Sequence, residues 1–143
     1  MRPQFTRYAR QVVENANVLA QALREEGLRV VSGGTDNHMM LLDLRATDLT
    51  GRQAEERLEK HGIAVNKNMI PFDPRPPAVT SGIRLGTAAV TTRSMGPPQM
   101  KQIARLLGRA LRAAPDSDEL EEVHAEARAL CVRFPVPIIG ART

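Results

Sequence analysis

Apolar residues recur at helical spacing at the start of the chain: Phe5, Tyr8, Val12, Ala16, Leu19 and Leu23. That period is one face of a helix, and Gly27 follows as its C-cap. Residues 1–26 are therefore predicted to form one long amphipathic helix, with Pro3 in its first turn. The pattern then shortens. LRVV (28–31) suits a short strand, SGGTDN (32–37) a turn of glycine and Asx residues, and HMMLLDL (38–44) a buried strand. Thr50 stands before GRQAEERLEKHG with Gln53 three residues on, which is the pattern of a capping box. IAVN (63–66) reads as another strand. From Asn66 to Thr80 the periodicity stops, and Pro71, Pro74, Pro76 and Pro77 mark residues 66–80 as a proline-stiffened loop. TSGIRLGTAAVTTR (80–93) resumes as a strand, followed by a helix over PPQMKQIARLLGRAL. Pro115 ends that helix, Asp116 or Ser117 caps the next, and residues 117–134 form a terminal amphipathic helix. The order predicts an α/β chain of the two-layer α+β kind, a small, mostly antiparallel sheet covered by helices on one face.

At 143 residues the chain reads as a single domain, 1–143. No apolar run approaches the roughly 18–20 residues of a membrane span. The polar, periodic start has no apolar h-region and is not read as a signal peptide. The single Cys131 excludes a disulfide framework and fits a reducing cytoplasm. Its neighbours Leu130, Val132 and Phe134 suggest a buried, inert thiol. A net charge of +4 and a pI near 10.0 raise nucleic acid as a partner. The basic residues are interleaved with acids, however, and aromatic content is 3%, so there is no basic run and no stacking platform. Neither nucleic acid nor membrane is an expected partner.

His38, His61 and His124 share no metal-ligand spacing and read as surface or strand-end residues. No serine stands in a nucleophile elbow, and no phosphate-binding glycine loop is present. Two features remain. The loop 66–80 is long for a compact domain, stiffened by proline, and carries Asn66, Asn68 and Asp73. In the strand that follows, Ile83 and Leu85 share one face while Gly82, Arg84 and Gly86 share the other. A lone cation between two glycines suggests open space beside a guanidinium. The planar fork of arginine pairs with both oxygens of a carboxylate. On its own such an arginine is also compatible with a surface ion pair.

Four stretches, VVSGGTDNHMMLLDLR, DLTGRQAEERLEKHGIAVNKN, DPRPPAVTSGIRLGTAAVTTR and LCVRFPVP, occur in this order. They closely resemble the carboxyl-terminal part of serine hydroxymethyltransferase, from about Phe5 to Pro137. The resemblance implies the small domain of an aspartate-aminotransferase-type fold. It implies an enzyme that uses pyridoxal phosphate to interconvert serine and glycine, passing one carbon to tetrahydrofolate. By the same resemblance Arg84 matches the arginine that holds the amino acid's α-carboxylate. Asn68 matches an asparagine that contacts the folate, and the prolyl loop lines that pocket.

Departures from the family pattern fall at Ala88 and Ser94, where proline and glycine are usual, and at Phe72, where asparagine is frequent. Met69 and Ile70 make the loop more apolar. The family's Schiff-base lysine, ring-stacking histidine and cofactor-pairing aspartate lie upstream of the matched region, in a large domain outside this chain. Lys60, Lys67 and Lys101 match none of these, so no catalytic or cofactor-binding residue is expected here and the chain alone is expected to be inactive. Two readings stay open. One is a carboxyl-terminal piece that works with a large cofactor-binding domain. The other is a free-standing, non-catalytic module that binds an amino acid, folate or a full-length homologue. A face shaped to dock on another domain also predicts self-association, as in a homo-oligomer.

Overall fold

In a computed structural model the described residues are 2–138 except Gly34 and Asp36. Helix α1 runs Pro3–Glu25, and Gly27 at φ +82 supplies the left-handed turn that ends it. Strand β1 (Arg29–Val30) and a short 3-10 turn (Val31–Gly33) lead to β2 (Met39–Asp43). The SGGTDN turn lies partly outside the described residues. Helix α2 (Gly51–Lys60) starts with the expected box: the Gln53 N–H donates to Thr50 Oγ1 at 3.1 Å, and the Thr50 N–H donates to Gln53 Oε1 at 2.9 Å. Strands β3 (Asn66–Asn68) and β4 (Gly82–Gly86) follow, then α3 (Ala88–Thr92), α4 (Pro97–Arg112) and α5 (Asp118–Arg133).

The four strands are antiparallel in the order β1-β2-β4-β3. Directly paired residues point to the same side of the sheet. Val30, Met40, Leu42, Ile83 and Leu85 therefore share one face, and all are buried in a single cluster with Leu19, Leu23, Met100 and Leu107 of α1 and α4. Helix α1 packs on α4, and α4 on α5, so the helices cover that face in one layer. The fold is the small antiparallel sheet with helices that the residue pattern predicts.

Several local expectations need correction. IAVN is not a strand: Ile63 and Val65 pack against the core without a ladder partner, and pairing begins at Asn66, opposite Arg84. Their alternation reports burial rather than pairing. The prolyl loop is correspondingly shorter, because Asn66–Asn68 is β3. The strand around Arg84 ends at Gly86, and residues 88–92 form α3 instead of continuing it. There Thr87 Oγ1 donates to the Val12 carbonyl at 2.8 Å, tying the turn to α1.

Cys131 is exposed, not buried. The buried face of α5 is Leu120, Val123, Ala127 and Leu130. Sequence neighbours on a helix lie about 100° apart, so an adjacent Leu130 says little about position 131. His61 is buried rather than a surface residue. Its Nδ1 lies 2.7 Å from the Arg57 carbonyl, and its ring meets His124 edge-on at 6.0 Å between centroids, because the end of α2 is roofed by α5.

Candidate functional site

The face of the sheet opposite the helices carries Arg29 on β1, Met39, Leu41 and Asp43 on β2, Gly82, Arg84 and Gly86 on β4, and Asn66 and Asn68 on β3. Arg84 stands at its centre, on an inner strand, with Leu41 beside it on β2 and Asn66 beside it on β3. Its side chain is exposed and has no hydrogen bond or ion pair among the described residues. Most of the other cations near the sheet are spoken for. Arg45 and Arg29 pair with buried Asp43 at 2.8 and 3.4 Å, and Lys67 pairs with Glu55 at 3.8 Å. The Arg45 side-chain hydrogen bonds outweigh burial and hold the Asp43 carboxyl below its ordinary range.

The two glycines beside Arg84 are not equivalent, which corrects the picture of open space on both sides. A Cβ at Gly86 would meet only ordinary contacts, 3.5 Å from the His38 carbonyl and 3.7 Å from Met39. A Cβ at Gly82 would sit 2.7 Å from Ile70 Cγ2 and 2.8 Å from the carbonyls of both Asn68 and Leu42. Gly82 thus admits the close approach of the loop to the sheet, and only the Gly86 side leaves room for a ligand.

Asn68 ends β3 opposite Gly82. Its Nδ2 donates to the Met69 carbonyl at 3.0 Å, leaving one N–H and the side-chain carbonyl for a ligand. Asn68 and Arg84 are on the same open face, two residues apart in register. The loop beyond is held from two sides. From α2, the N–H groups of Gly51 and Arg52 donate to the carbonyls of Thr80 and Val79 at 3.0 and 2.9 Å, so the helix start is closed by the loop. Inside the loop, Asp73 gathers four donors, a role that reading the sequence missed. The only earlier sign was an aspartate among prolines, which offer no N–H to compete for it.

Met39, Met69 and Phe72 are exposed around this face and loop, Phe72 completely. Phe72 also has φ +56, and Ser94, just after α3, has φ +67. Both sit in the left-handed region, which asparagine and glycine tolerate better than phenylalanine and serine. Ala88 is the first residue of α3, where a proline would be accommodated as well.

No group of histidine, cysteine or acidic residues able to hold a metal occurs among the described residues. The lysines do not fit a Schiff-base site on this face. Lys60 on α2 pairs with Asp116, Lys67 points to the helix-covered side beside Glu55, and Lys101 is on α4. No helix among the described residues is long and apolar enough to cross a membrane.

A family model described as serine hydroxymethyltransferase matches residues 1–107. The serine hydroxymethyltransferase of Myxococcus xanthus (strain DK1622) is 54% identical over 134 residues, covering 94% of this chain and 32% of that protein. The chain spans about a third of the length of that curated relative. With the model match running from α1 into α4 and more than half of the residues shared with that enzyme, the chain belongs to the serine hydroxymethyltransferase family.

Proposed function

We propose that this chain acts as the carboxyl-terminal small domain of a serine hydroxymethyltransferase, contributing Arg84 to the amino-acid site and Asn68 to the folate site. The observation that carries the reading is Arg84 itself: a guanidinium on an inner strand, on the uncovered face, with no partner among the described residues and space toward Gly86. Its backbone is fixed by strands on both sides, and the planar guanidinium it carries offers two parallel N–H donors that match the two oxygens of a carboxylate. Asn68, on the same face, offers one donor and one acceptor to a heterocycle or amide. Pyridoxal phosphate, when bound in such enzymes, supplies the electron sink for bond cleavage at the amino acid's α-carbon. In this reading its anchoring falls to residues outside this chain, consistent with Lys60, Lys67 and Lys101 lying off the open face, and Arg84 and Asn68 bind and orient substrates without handling the cofactor.

In the chain alone one exposed ion pair must hold the amino acid. Such a pair contributes about 0–1 kcal/mol, so glycine or serine should bind no tighter than roughly millimolar. Enclosed by a large domain the same pair is desolvated, and losing one partner costs on the order of 3–5 kcal/mol. The test is steady-state kinetics on an enzyme assembled from this chain and a cofactor-loaded large domain. Arg84→Ala, and nearly as much Arg84→Lys, should abolish serine turnover with the cofactor still bound. Normal turnover by Arg84→Ala would refute the assignment.

A second reading, a module that binds without catalysis, draws on Phe72 and Ser94. Both hold left-handed backbone where the family has residues suited to it. A chain released from catalytic selection tolerates such strain. Failure of the chain to complement any family large domain would favour this module.

A further inference from the structure

We propose that Asp73 is a positioning residue that holds Asn68 in register with Arg84, so that the folate and amino-acid contacts of the site are set at a fixed separation. The inference rests on the function proposed above for those two side chains. Asp73 Oδ2 accepts the Ile70 N–H at 3.2 Å and the Ser81 N–H at 2.8 Å. Oδ1 accepts the Arg75 N–H at 2.9 Å and the Ser81 hydroxyl at 2.7 Å. An ionised carboxylate has about four acceptor sites on its two oxygens, and all are used.

These donors come from both ends of the loop. Ile70 is two residues after Asn68, and Ser81 is three before Arg84. The carboxylate thus bridges β3 and β4 just beyond Asn68–Gly82, the last rung of their ladder. Buried Ile70 completes the seal by packing into the space that a side chain at Gly82 would occupy.

The two contacts depend on this bridge unequally. Arg84 lies on a strand paired on both sides, with β2 and with β3. Asn68 ends a three-residue edge strand, and the chain beyond it is irregular as far as Ser81. Pro71, Pro74, Pro76 and Pro77 have no N–H to hold the loop in another way. The charge on the carboxylate matters as well as its shape. Burial alone would raise the Asp73 pKa, but the N–H of Arg75, the hydroxyl and N–H of Ser81 and the N–H of Ile70 together bring it down to about 2. Of the charged groups nearby, Arg75 on the same loop donates to the Ser81 hydroxyl at 3.3 Å, and Arg45 beyond β2 feels the Asp73 charge. An asparagine of the same shape would aim an NH2 at these donors.

The experiment uses the assembled, cofactor-loaded enzyme and a reduced folate as probe, comparing Asp73→Asn with Asn68→Ala. Misplacement of about 1 Å can cost up to a hundredfold, so Asp73→Asn is expected to raise the KM for the folate by on the order of tenfold or more. Its dissociation constant for serine, measured by absorbance without folate, should stay nearly unchanged. A purely structural role would weaken both ligands together and would overturn the proposal. If Asn68→Ala leaves the folate KM unaltered, the functional reading of Asn68 fails. If Asn68→Ala raises it while folded Asp73→Asn does not, the positioning proposal alone fails. Should Asp73→Asn not fold, Ser81→Ala keeps the N–H contact to Asp73 and removes the hydroxyl's, along with the longer bond that the hydroxyl accepts from Arg75 at 3.3 Å. It is expected to raise the folate KM in the same direction by a smaller factor, and no rise would overturn the proposal.

Discussion

The same four strands present two faces built to opposite rules. Toward the helices stand Val30, Met40, Leu42, Ile83 and Leu85, each buried and each in contact with a continuous apolar cluster. On the other side Arg29, Met39, Asn66 and Arg84 are exposed, and Arg84 has no partner among the described residues. The period-two alternation of a strand places these residues one step apart, so adjacent positions in β4 answer to different demands. Ile83 is held by the fold, and Arg84 is available to a ligand. The division teaches that stability and recognition here should respond separately to mutation.

The largest effect expected from that division is on the covered face. Leu42→Ala, at a fully buried position, should cost about 2–5 kcal/mol in the urea unfolding of the chain. A cost as small as that of an exposed position would mean the helices do not seal this face. The two glycines sharpen the comparison, because Gly82 is on the open face yet is packed like the core. Gly82→Ala should cost about 1–3 kcal/mol, since its new methyl meets backbone on two strands. Gly86→Ala should stay within about 0.5 kcal/mol. Equal effects would erase the distinction between the two sides of Arg84.

Much of this was legible in the residue pattern. The long first helix, the capping box at Thr50, β2 and β4 all follow from local rules that tertiary contacts do not override. What was not legible depends on contacts distant in sequence. Whether Gly82 borders a cavity or a wall is decided by Ile70 and Leu42, and the exposure of Cys131 by how α5 is rotated on the core. Short α3 lay hidden in a run of threonine and valine, residues with strand preference. Its fold depends on the Thr87–Val12 contact and on bonds such as Thr91 Oγ1 to the Thr87 carbonyl at 2.6 Å. Arg84 was found as a candidate because an isolated cation between glycines is unusual in a strand. Asp73 stands out in the sequence only as one of the loop's polar residues, because its four donors cannot be counted there.

A smaller effect should be seen with pH. The folded Asp73 pKa of about 2 lies below the ordinary value of 3.8. Its contribution is therefore complete above the unfolded value and is lost as pH falls through the folded one. Urea midpoints should show no dependence on Asp73 from neutral pH down to about 4 and a loss between about 4 and 2. In Asp73→Asn that portion of the acid-induced loss should be missing. An identical acid profile for both proteins would mean the carboxylate is not held by its loop.

Smallest of all are the two strained positions. Phe72→Asn and Ser94→Gly should each leave stability unchanged or raise it by up to about 1 kcal/mol, by relieving left-handed backbone. Destabilisation by Phe72→Asn would show that the exposed ring has contacts in solution.

The most direct test of the account asks whether Arg84 senses a carboxylate. Serine and serinamide, which lacks the negative charge, would be titrated into the assembled, cofactor-loaded enzyme with and without Arg84→Ala. The account expects the unsubstituted enzyme to prefer serine by on the order of 3–5 kcal/mol, the cost of leaving one side of a desolvated pair unmatched. Arg84→Ala should remove nearly all of that preference without lowering the stability of the chain. A variant that still favours serine as strongly as the unsubstituted enzyme would contradict the assignment of Arg84 to the substrate carboxylate.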